Sequence, residues 1–599
     1  MKIKPAGKAI IFILVIGIVF GIVRFFNLLA PPANDKNSVV PSAGTLDNRT
    51  EAAGSGANTP LPGTGAGCTD KPAVRLLGYA WNAQMGMHFA NGGPQATRGS
   101  LMCNHGVNLK FIRQDDNGKL QEALTSFATQ LSQGSANPDK GAHFVTIMGD
   151  GAAAFLKPLN DTLKRLGPDY AAKVVGACGY SHGEDKLMGP AAWKADPSAS
   201  RGGLVAGVLR DGDWNIAQKW LSDNGLRTNP DEKTYDPDAL NWVNANDYID
   251  AAQKYVAGYH EVRPVVRNGK RTGETKDVAV NAVVTWTPGD VTVAEKKGGL
   301  VSIVSTKEYS SQMPCVVIGI DKWMKAHRST VEGMLQAIAE GGDAVKSNPS
   351  ALRRASEISN EVYHENGTDP SFWERYFKGT QQQDKTGVTV DLGGSSVNNL
   401  ADMLLTFGLV PGSANLFGAT YRVFGDIVAA QYPELLKGYY PVEQISDTSY
   451  LQDLARQAKP TETAMTTAKP TFNASKRIET AVSRKAWHIN FDTGRANFSP
   501  GTSRQLEQLR RDLLVASGAA VEIHGYTDNQ GDPRANLKLS EERAFAVEKW
   551  MEKAAPVNFP RGRIRIFEHG AQNPVAPNST TQGRADNRRV EIVIGATSR

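Results

Sequence analysis

Patterns typical of strands and of helices alternate from residue 72 to residue 455, and this alternation constrains the fold more than any other feature of the sequence. In one stretch, the apolar run FVTIM is followed by a glycine-rich turn and then by a helical period in AAAFLKPLNDTLKRL. Such repeats predict an α/β fold whose sheets contain parallel strands. Sheets of that kind bind ligands beyond the carboxyl ends of their strands. We therefore expect the functional residues of this segment in the loops that follow strands.

Length and composition exclude several classes of protein. The 599 residues are too many for one hydrophobic core and correspond to about three or four folded units. The formal net charge of +6 is small for this length, and no dense Lys/Arg block with interleaved aromatics is present, so nucleic acid is not an expected partner. The cysteines form no CxxC or Cys/His cluster, so no metal or other cofactor is expected. Outside the cytoplasm they leave room for one or two disulfides, whose pairing stays open: Cys68, Cys103, Cys178 and Cys315.

The order of pieces in the middle of the chain resembles a type II periplasmic substrate-binding protein. The most telling stretches are LRDGDWNIAQKWLSDNGL and AVVTWTPGDVTVAEKKGGLVSIVST, and the resemblance spans roughly residues 72–345. Its nearest types are the ABC-transporter receptors for sulfonates, taurine, nitrate and thiamine precursors. The resemblance implies a two-lobed α/β domain over 72–455 that captures or senses a small-molecule solute between its lobes. Residues 350–455 are expected to complete the second lobe.

Loops after the predicted strands supply the candidate ligand-binding residues of this domain. Aspartate and tryptophan together favour a cationic ligand through charge and cation-π contact. Asp211 and Asp213 stand where a helix N-terminus would otherwise favour an anion, which counts against sulfonate or nitrate. The alternatives to ligand contact are that the aspartates cap helices and that the tryptophans pack in the core. The candidates are Trp81, Asn82, Gly149, Asp150, Asp213, Trp214 and Trp286.

Four separated motifs mark the last 110 or so residues: FDTGRANFSP, GYTD, LSEERA and GRADNRRVEI. Strand patterns in WHINF, VEIHGY, IRIFEHG and RRVEIVIG alternate with two helices to predict an α+β domain over 485–599. Leu506, Leu509, Leu513 and Leu514 share one face of the first helix, and Ser540 is the expected N-cap of the second.

The motifs resemble the OmpA C-terminal domain, the peptidoglycan-binding module shared with the Pal lipoprotein and the MotB stator protein. The resemblance implies that Asp528 and Arg543 hold the meso-diaminopimelate of the peptidoglycan stem peptide. Asp528 would accept hydrogen bonds from the ammonium of the diaminopimelate, and the guanidinium of Arg543 would donate two parallel hydrogen bonds to the carboxylate of the same group. Thr527 and Asn536 are expected to complete the pocket, whereas Arg588 and Arg589 are compatible with a role in the fold. Turn formation by Asp528 and a surface ion pair of Arg543 are the structural alternatives.

The N-terminal region predicts a membrane anchor. Three lysines in residues 1–8 precede an apolar run over 9–29, about the length of a bilayer-spanning helix. The lysines would stay cytoplasmic, so the sequence predicts a single-pass protein of the inner membrane with its bulk in the periplasm. Residues 30–71 and 456–484 lack a hydrophobic period and are predicted to be a disordered tether and a linker. The bilayer, and an inner-membrane protein beside the anchor, are expected partners.

Three other functions remain as alternatives to a wall-bound receptor. GYSHG matches the nucleophile motif G-x-S-x-G, but no helical pattern follows Ser181, so a hydrolase is disfavoured and no catalytic residue is assigned. A proton-driven stator would need a carboxylate in the membrane segment, and residues 9–29 contain none. A structural tether or protein-docking scaffold, with a middle domain that binds no solute, stays open.

Overall fold

The computed structural model describes residues 59–458, 472–473, 475–492 and 494–597. The predicted cytoplasmic start 1–8 and anchor 9–29 lie outside the described residues, as do most of the predicted tether and part of the predicted linker. Among the described helices, none is long and apolar enough to cross a membrane.

The first lobe contains a mixed six-stranded sheet in the order β15-β4-β12-β3-β1-β2. β1 pairs in parallel with both β2 and β3, and β12 runs antiparallel to β3 and β4. The strands β3, β4 and β12 are buried along almost their whole length, as expected for a sheet covered on both faces. The strands are β1 Ala73–Gly78, β2 Asn108–Arg113, β3 Phe144–Met148, β4 Ala172–Ser181, β12 Pro314–Ile320 and β15 Ser395–Val397. The helices are Met85–Asn91, Leu101–Asn104, Asn117–Ser132, Ala152–Leu163, Asp321–Ala326 and Arg328–Ser347.

The second lobe contains a five-stranded sheet in the order β11-β5-β10-β6-β7, beside a hairpin of β8 and β9. β6 pairs in parallel with β7 and β10, and β5 runs antiparallel to β10 and β11. The strands are β5 Lys186–Gly189, β6 Leu204–Gly207, β7 Asn241–Asn244, β8 His260–Arg267, β9 Lys270–Ala279, β10 Ala282–Thr285 and β11 Val301–Ser305. The helices are Ala191–Ala195, Gly212–Asp223, Tyr248–Val256 and Gly289–Lys296.

Two adjacent crossings connect the lobes, at residues 182–185 after β4 and 306–313 after β11, and the chain passes between the lobes again on either side of residues 380–392. The two crossings are joined by hydrogen bonds: the Ser181 and Thr306 hydroxyls lie 2.6 Å apart, and the Gly183 amide donates to the Thr306 hydroxyl at 2.7 Å. The predicted two-lobed α/β architecture is thereby confirmed. The carboxyl ends of parallel strands from both sheets face one cleft, which positions the loops predicted to be functional.

Residues 349–458 extend mainly the first lobe, so the expectation that they complete the second lobe was wrong. β15 pairs with β4, and the Tyr363 hydroxyl donates to the Trp81 carbonyl at 2.8 Å. A hairpin of β13 Thr380–Gln383 and β14 Thr389–Leu392 packs on the second lobe instead, where the Gly299 amide donates to Asp384 at 2.6 Å. The helices are Pro349–Tyr363, Pro370–Lys378, Leu400–Thr406, Leu416–Gln431, Val442–Ile445 and Ser449–Ala458.

One disulfide joins Cys68 to Cys103 and ties the segment before β1 to the helix Leu101–Asn104. Cys178 and Cys315 are free thiols buried in the adjacent strands β4 and β12. The sequence left this pairing open because spacing alone does not report which cysteines meet.

The C-terminal domain is an α+β unit with a four-stranded sheet in the order β16-β19-β17-β18. The four leucines predicted to share a helix face are all buried. The first strand ends at Trp487, so most of the predicted strand WHINF is loop. The strands are β16 Ile478–Trp487, β17 Ala520–Gly525, β18 Ile564–Glu568 and β19 Val590–Thr597. The helices are Ser503–Val515, Pro533–Ala554 and Thr581–Asn587.

The long helix of this domain begins seven residues before Ser540, so the predicted N-cap was wrong. Asp532 is the N-cap, and its carboxylate accepts from the Arg534 and Ala535 amides. Pro533 occupies the first turn, where its fixed φ favours a helix start and its missing N–H costs nothing. Ser540 therefore lies inside the helix, and its hydroxyl donates to the Leu537 carbonyl at 2.7 Å.

The C-terminal domain packs against both lobes and against the second crossing. The Ser311 amide donates to the Val515 carbonyl at 2.9 Å, and the Lys219 ammonium, 1% exposed, donates to Asp512 at 2.7 Å and to Asp223 at 2.8 Å. Burial opposes the charge on Lys219, but the two carboxylates raise the pKa of its ammonium above the ordinary value. The buried ion pair and the hinge contact together fix this domain beside the cleft.

Candidate functional site

A pocket of about 380 Å³ opens in the C-terminal domain, beside the turn that follows β17. Its walls come from the loop after β16, from the helix Pro533–Ala554 and from the short helix before β19. It is lined by His488, Ile489, Asn490, Phe491, Tyr526, Arg543, Gln582, Ala585, Asp586, Arg588 and Arg589.

A glycine brings the turn and the long helix together. A Cβ on Gly525 would lie 2.1 Å from the Ser540 carbonyl oxygen, so only glycine allows β17 to approach the helix this closely. This approach sets Asp528, three residues beyond Gly525, near Arg543 on the helix.

Thr527 and Asn536 hold the backbone of the turn and are not among the pocket-lining residues. The Thr527 hydroxyl donates to the Asp528 carbonyl at 3.0 Å, and the Asn536 amide donates to the Gln530 carbonyl at 2.9 Å. These contacts position Asp528. Direct ligand contact by Thr527 and Asn536 remains a prediction.

The Asp528 carboxylate has one oxygen within the turn and one in an ion pair. It accepts from the Gln530 amide at 3.0 Å and from the Arg588 guanidinium at 2.6 Å. Arg588 is 43% exposed on its side chain and lines the pocket, so it presents further donors there. The NRR motif pointed to this arginine without distinguishing a ligand contact from a fold contact.

Arg543 has no carboxylate partner among the described residues. Its Nε donates to the Arg495 carbonyl at 3.2 Å, and its guanidinium lies 5.1 Å from the centre of the Phe491 ring. Burial and the neighbouring Arg588 lower the pKa of Arg543, and Asp528 raises it. A partly buried guanidinium that lines a pocket and pairs with no carboxylate of the described residues is suited to bind the carboxylate of a ligand.

Arg589, in contrast, belongs to the fold. Its guanidinium pairs with Glu591 at 2.7 Å and stacks over the Tyr526 ring at 3.8 Å, and its side chain is 3% exposed. Tyr526 stands where the OmpA pattern usually has histidine, and its ring forms one wall of the pocket. The two adjacent arginines thus divide their roles, one facing the pocket and one holding its wall.

The pocket is lined by the guanidinium groups of Arg543 and Arg588 and by the carboxylate of Asp586. The Asp528 carboxylate is not among the lining residues and adjoins the pocket through its ion pair with Arg588. A zwitterion with an ammonium and a carboxylate on one carbon matches this arrangement, because each of its charges meets an opposite one.

The second candidate site is the cleft between the lobes, and the seven predicted residues lie in the loops or first helical turns that follow β1, β3, β6 and β10. The Trp81 indole donates to Asp185 at 3.2 Å, and the Asn82 amide donates to Glu184 at 3.1 Å, so loops of the first lobe contact the first crossing. The Trp286 indole donates from the second lobe to the Ala80 carbonyl at 3.3 Å. These contacts close the cleft beside the first crossing, and a groove stays open between the lobes at Asp211.

Burial and neighbouring carboxylates perturb the acidic residues of the cleft. Burial raises the pKa of Asp150 to about 8, with Asp211 and Asp185 adding to the effect and the hydrogen bond from Gln312 opposing it. Burial raises the pKa of Asp185 to about 6, and burial together with Asp185 raises that of Asp213 well above its ordinary value. Asp185 and Gln312 were not predicted, since they lie on the crossings and no local motif marks them.

Two of the predicted residues have packing roles. A Cβ on Gly149 would lie 2.6 Å from the Pro314 ring, so this glycine allows close packing at the end of β3. Trp214 is buried between Trp242 and Tyr432, with ring centres 6.3 and 5.2 Å away.

Ser181 is the last residue of β4 and is followed by the crossing 182–185 and by β5, not by a helix. Its buried hydroxyl lies 2.6 Å from that of Thr306 and accepts from the Asp185 amide at 3.1 Å. The geometry of a nucleophile elbow is not formed here. Within the described residues, no group of three or more His, Cys, Asp or Glu side chains could hold a metal ion.

Comparison with known proteins identifies the C-terminal segment. The OmpA family matches residues 490–588. The outer-membrane lipoprotein YfiB of Pseudomonas aeruginosa is 35% identical over 108 residues, which are 18% of this chain and 62% of that protein. The peptidoglycan-binding protein ArfA of Mycobacterium bovis is 36% identical over 106 residues, 18% of this chain and 32% of that protein. The chain thus spans less than two thirds of the length of these relatives.

Among solved structures, the periplasmic nitrate-binding protein NrtA from Synechocystis PCC 6803 aligns with 66% of this chain and 90% of its own. The identity is 10% and the TM-score is 0.45.

Proposed function

We propose that this chain, which carries an OmpA domain at residues 490–588, binds peptidoglycan through that domain and presents a solute-binding domain in the periplasm. The observation that carries the first part is the Arg543 guanidinium, which lines the pocket beside the Arg588–Asp528 ion pair. In this proposal the diaminopimelate carboxylate pairs with Arg543 and its ammonium with Asp528. The apolar segment 9–29 would anchor the chain in the inner membrane, so that the receptor is held between membrane and wall.

Co-sedimentation of the full chain with purified sacculi containing meso-diaminopimelate tests wall binding. Arg543→Ala and Asp528→Ala are expected to leave the protein in the supernatant, and Arg543→Lys to retain partial binding because it keeps charge but loses the fork. Arg534→Ala and Glu541→Ala are matched controls, since both side chains are exposed on the same helix. Wild-type sedimentation of both Ala variants would refute the assignment.

The second part of the proposal is that the middle domain binds a small solute between its lobes. It is supported by two lobes joined by two short crossings, with candidate residues of both lobes at the ends of parallel strands. A ligand that binds only the native cleft raises its melting temperature. Thermal-shift screening of the full chain against amino acids, polyamines, sulfonates, thiamine precursors and oxyanions is expected to find at least one concentration-dependent shift.

A structural tether is the competing function, and one observation favours it. The C-terminal domain contacts the second crossing through Ser310 and Ser311, so it is placed to hold the cleft closed whether or not a solute is bound. The absence of a thermal shift with every solute of the panel would favour this scaffold function.

A further inference from the structure

Four aspartates meet inside the cleft, and we call them the acidic cluster: Asp150, Asp185, Asp211 and Asp213. Asp150 follows β3 of the first lobe, Asp185 lies on the first crossing, and Asp211 and Asp213 follow β6 of the second lobe. All four are buried, at 5% exposure or less. Burying carboxylates without opposite charge costs several kcal/mol for each ion. No lysine or arginine of the described residues pairs with any of the four, so the cluster requires compensation from elsewhere.

The unpartnered atoms around the acidic cluster are acceptors. One oxygen each of Asp150, Asp185 and Asp213 is buried without a hydrogen-bond partner in the described part of the chain. The side-chain oxygen of Gln312 is likewise buried and unpartnered, although its amide donates to Asp150 at 2.8 Å. Buried acceptors normally find donors. A surplus of acceptors points to a ligand rich in N–H donors, and an ammonium group has three donors and no acceptor.

An open groove of about 770 Å³ runs between the lobes, with Asp211 of the acidic cluster in its wall. Five acidic side chains and one basic side chain line the groove. The basic one, Arg113, is already paired with Asp115 and Glu365. The aromatic ring of Tyr248 also lines it and lies 4.1 Å, centre to centre, from that of Trp286. A second cationic group would therefore meet a π surface and three carboxylates, Asp116, Asp211 and Asp247, that accept backbone amides but pair with no cation among the described residues.

We propose that the cleft binds an aliphatic polyamine, with one ammonium at the acidic cluster and another in the groove beyond Asp211. This inference rests on the proposed solute-binding function. Because both lobes and a crossing contribute carboxylates, a cation between them offsets their mutual repulsion and draws the lobes together. Nitrate or a sulfonate would instead add a negative charge to the cluster, so the cleft selects against anions.

Protonation alone does not account for the acidic cluster. The carboxyls of Asp185 and Asp213 lie beside each other, and one proton shared between them would remove one charge and give one oxygen of each a partner. One oxygen of Asp150 and the side-chain oxygen of Gln312 remain without a donor, and that shared proton does not supply one. A diammonium ligand supplies both the charges and the donors.

Isothermal titration calorimetry of the full chain with spermidine and putrescine tests the proposal, with taurine, nitrate and Ca²⁺ as competing probes. Spermidine is expected to bind, and Asp213→Asn and Asp150→Asn, which keep the side-chain shape, are each expected to weaken binding by about 30-fold or more. Glu122→Gln is the control, because Glu122 is exposed on a helix of the first lobe. The wild-type panel decides the class of ligand even if one variant folds poorly.

The outcomes separate the inference from the function on which it rests. Binding of taurine or nitrate without amines, or of Ca²⁺ alone, would overturn the polyamine inference and leave a solute-binding domain in place. Binding of amines at unchanged affinity in both Asn variants would place the amine away from the acidic cluster and overturn the inference too. If none of the five probes binds, the polyamine inference is overturned. A thermal shift with another compound of the wider solute panel would then show that the middle domain still binds a solute.

Discussion

Replacing Asp150 by asparagine is expected to change how stability depends on pH in the unliganded protein. Its pKa rises from 3.8 to about 8 on folding, chiefly through burial. Between these values the native state binds the proton more tightly than the unfolded state, so this group's stabilisation is present below pH 4 and is lost as pH rises through 8. At 1.36 kcal/mol for each pKa unit, the loss attributable to Asp150 between pH 5 and pH 8 is about 4 kcal/mol. Asp150→Asn removes that part of the slope.

Urea unfolding at pH 5, 6, 7 and 8 measures the effect, followed by tryptophan fluorescence. Trp81 and Trp286 are buried at the cleft and report its opening. We expect the unfolding midpoint of the wild type to fall with pH more steeply than that of Asp150→Asn, and Glu122→Gln to follow the wild type. Equal slopes for the wild type and Asp150→Asn would show that Asp150 is not a buried group titrating near neutral pH.

Two further substitutions test the packing that positions the two sites. Lys219→Met leaves Asp223 and Asp512 with only the half-buried Lys485 ammonium, at 3.6 and 3.7 Å, and is expected to cost about 3 kcal/mol of stability. Part of that loss is expected to be recovered in the double variant that adds Asp512→Leu, and urea midpoints measure both. Gly525→Ala places a Cβ against the Ser540 carbonyl and is expected to lower both the melting temperature and sacculus binding. Gly531→Ala is the control: its Cβ would enter open space, and its positive φ is expected to lower the free energy of unfolding by about 1 kcal/mol.

Hydrophobic periodicity and the order of the motifs predicted most of the fold correctly. Alternating strand and helix patterns predicted parallel strands, and Trp81, Asp150, Asp213 and Trp286 lie in loops or first helical turns that follow strands. Ligand binding by these residues stays a prediction. In the C-terminal domain, local motifs placed Arg543 at a pocket and Asp528 in the adjacent turn, and ligand binding by the two residues stays a prediction.

Features that depend on contacts between residues distant in sequence could not be predicted from local patterns. Asp185 joins the acidic cluster only because the first crossing meets the helix Gly212–Asp223 at Asp213, and Arg588 contacts Asp528 across sixty positions of sequence. Residues 349–458 were assigned to the wrong lobe because helix patterns do not report which sheet edge is free. The helix start at Pro533 was missed because Ser540 looks like a capping residue when its neighbours are ignored.

Recognition of diaminopimelate by the C-terminal pocket is tested most directly by calorimetric titration of the full chain with the stem tripeptide L-Ala–D-Glu–meso-diaminopimelate, beside the same tripeptide carrying L-Lys. The L-Lys peptide lacks the carboxylate that Arg543 is proposed to bind, so we expect binding of the first peptide and at least about tenfold weaker binding of the second. Arg543→Ala is expected to abolish the difference. Equal affinity of the wild type for the two peptides, or no binding of either, would contradict the account.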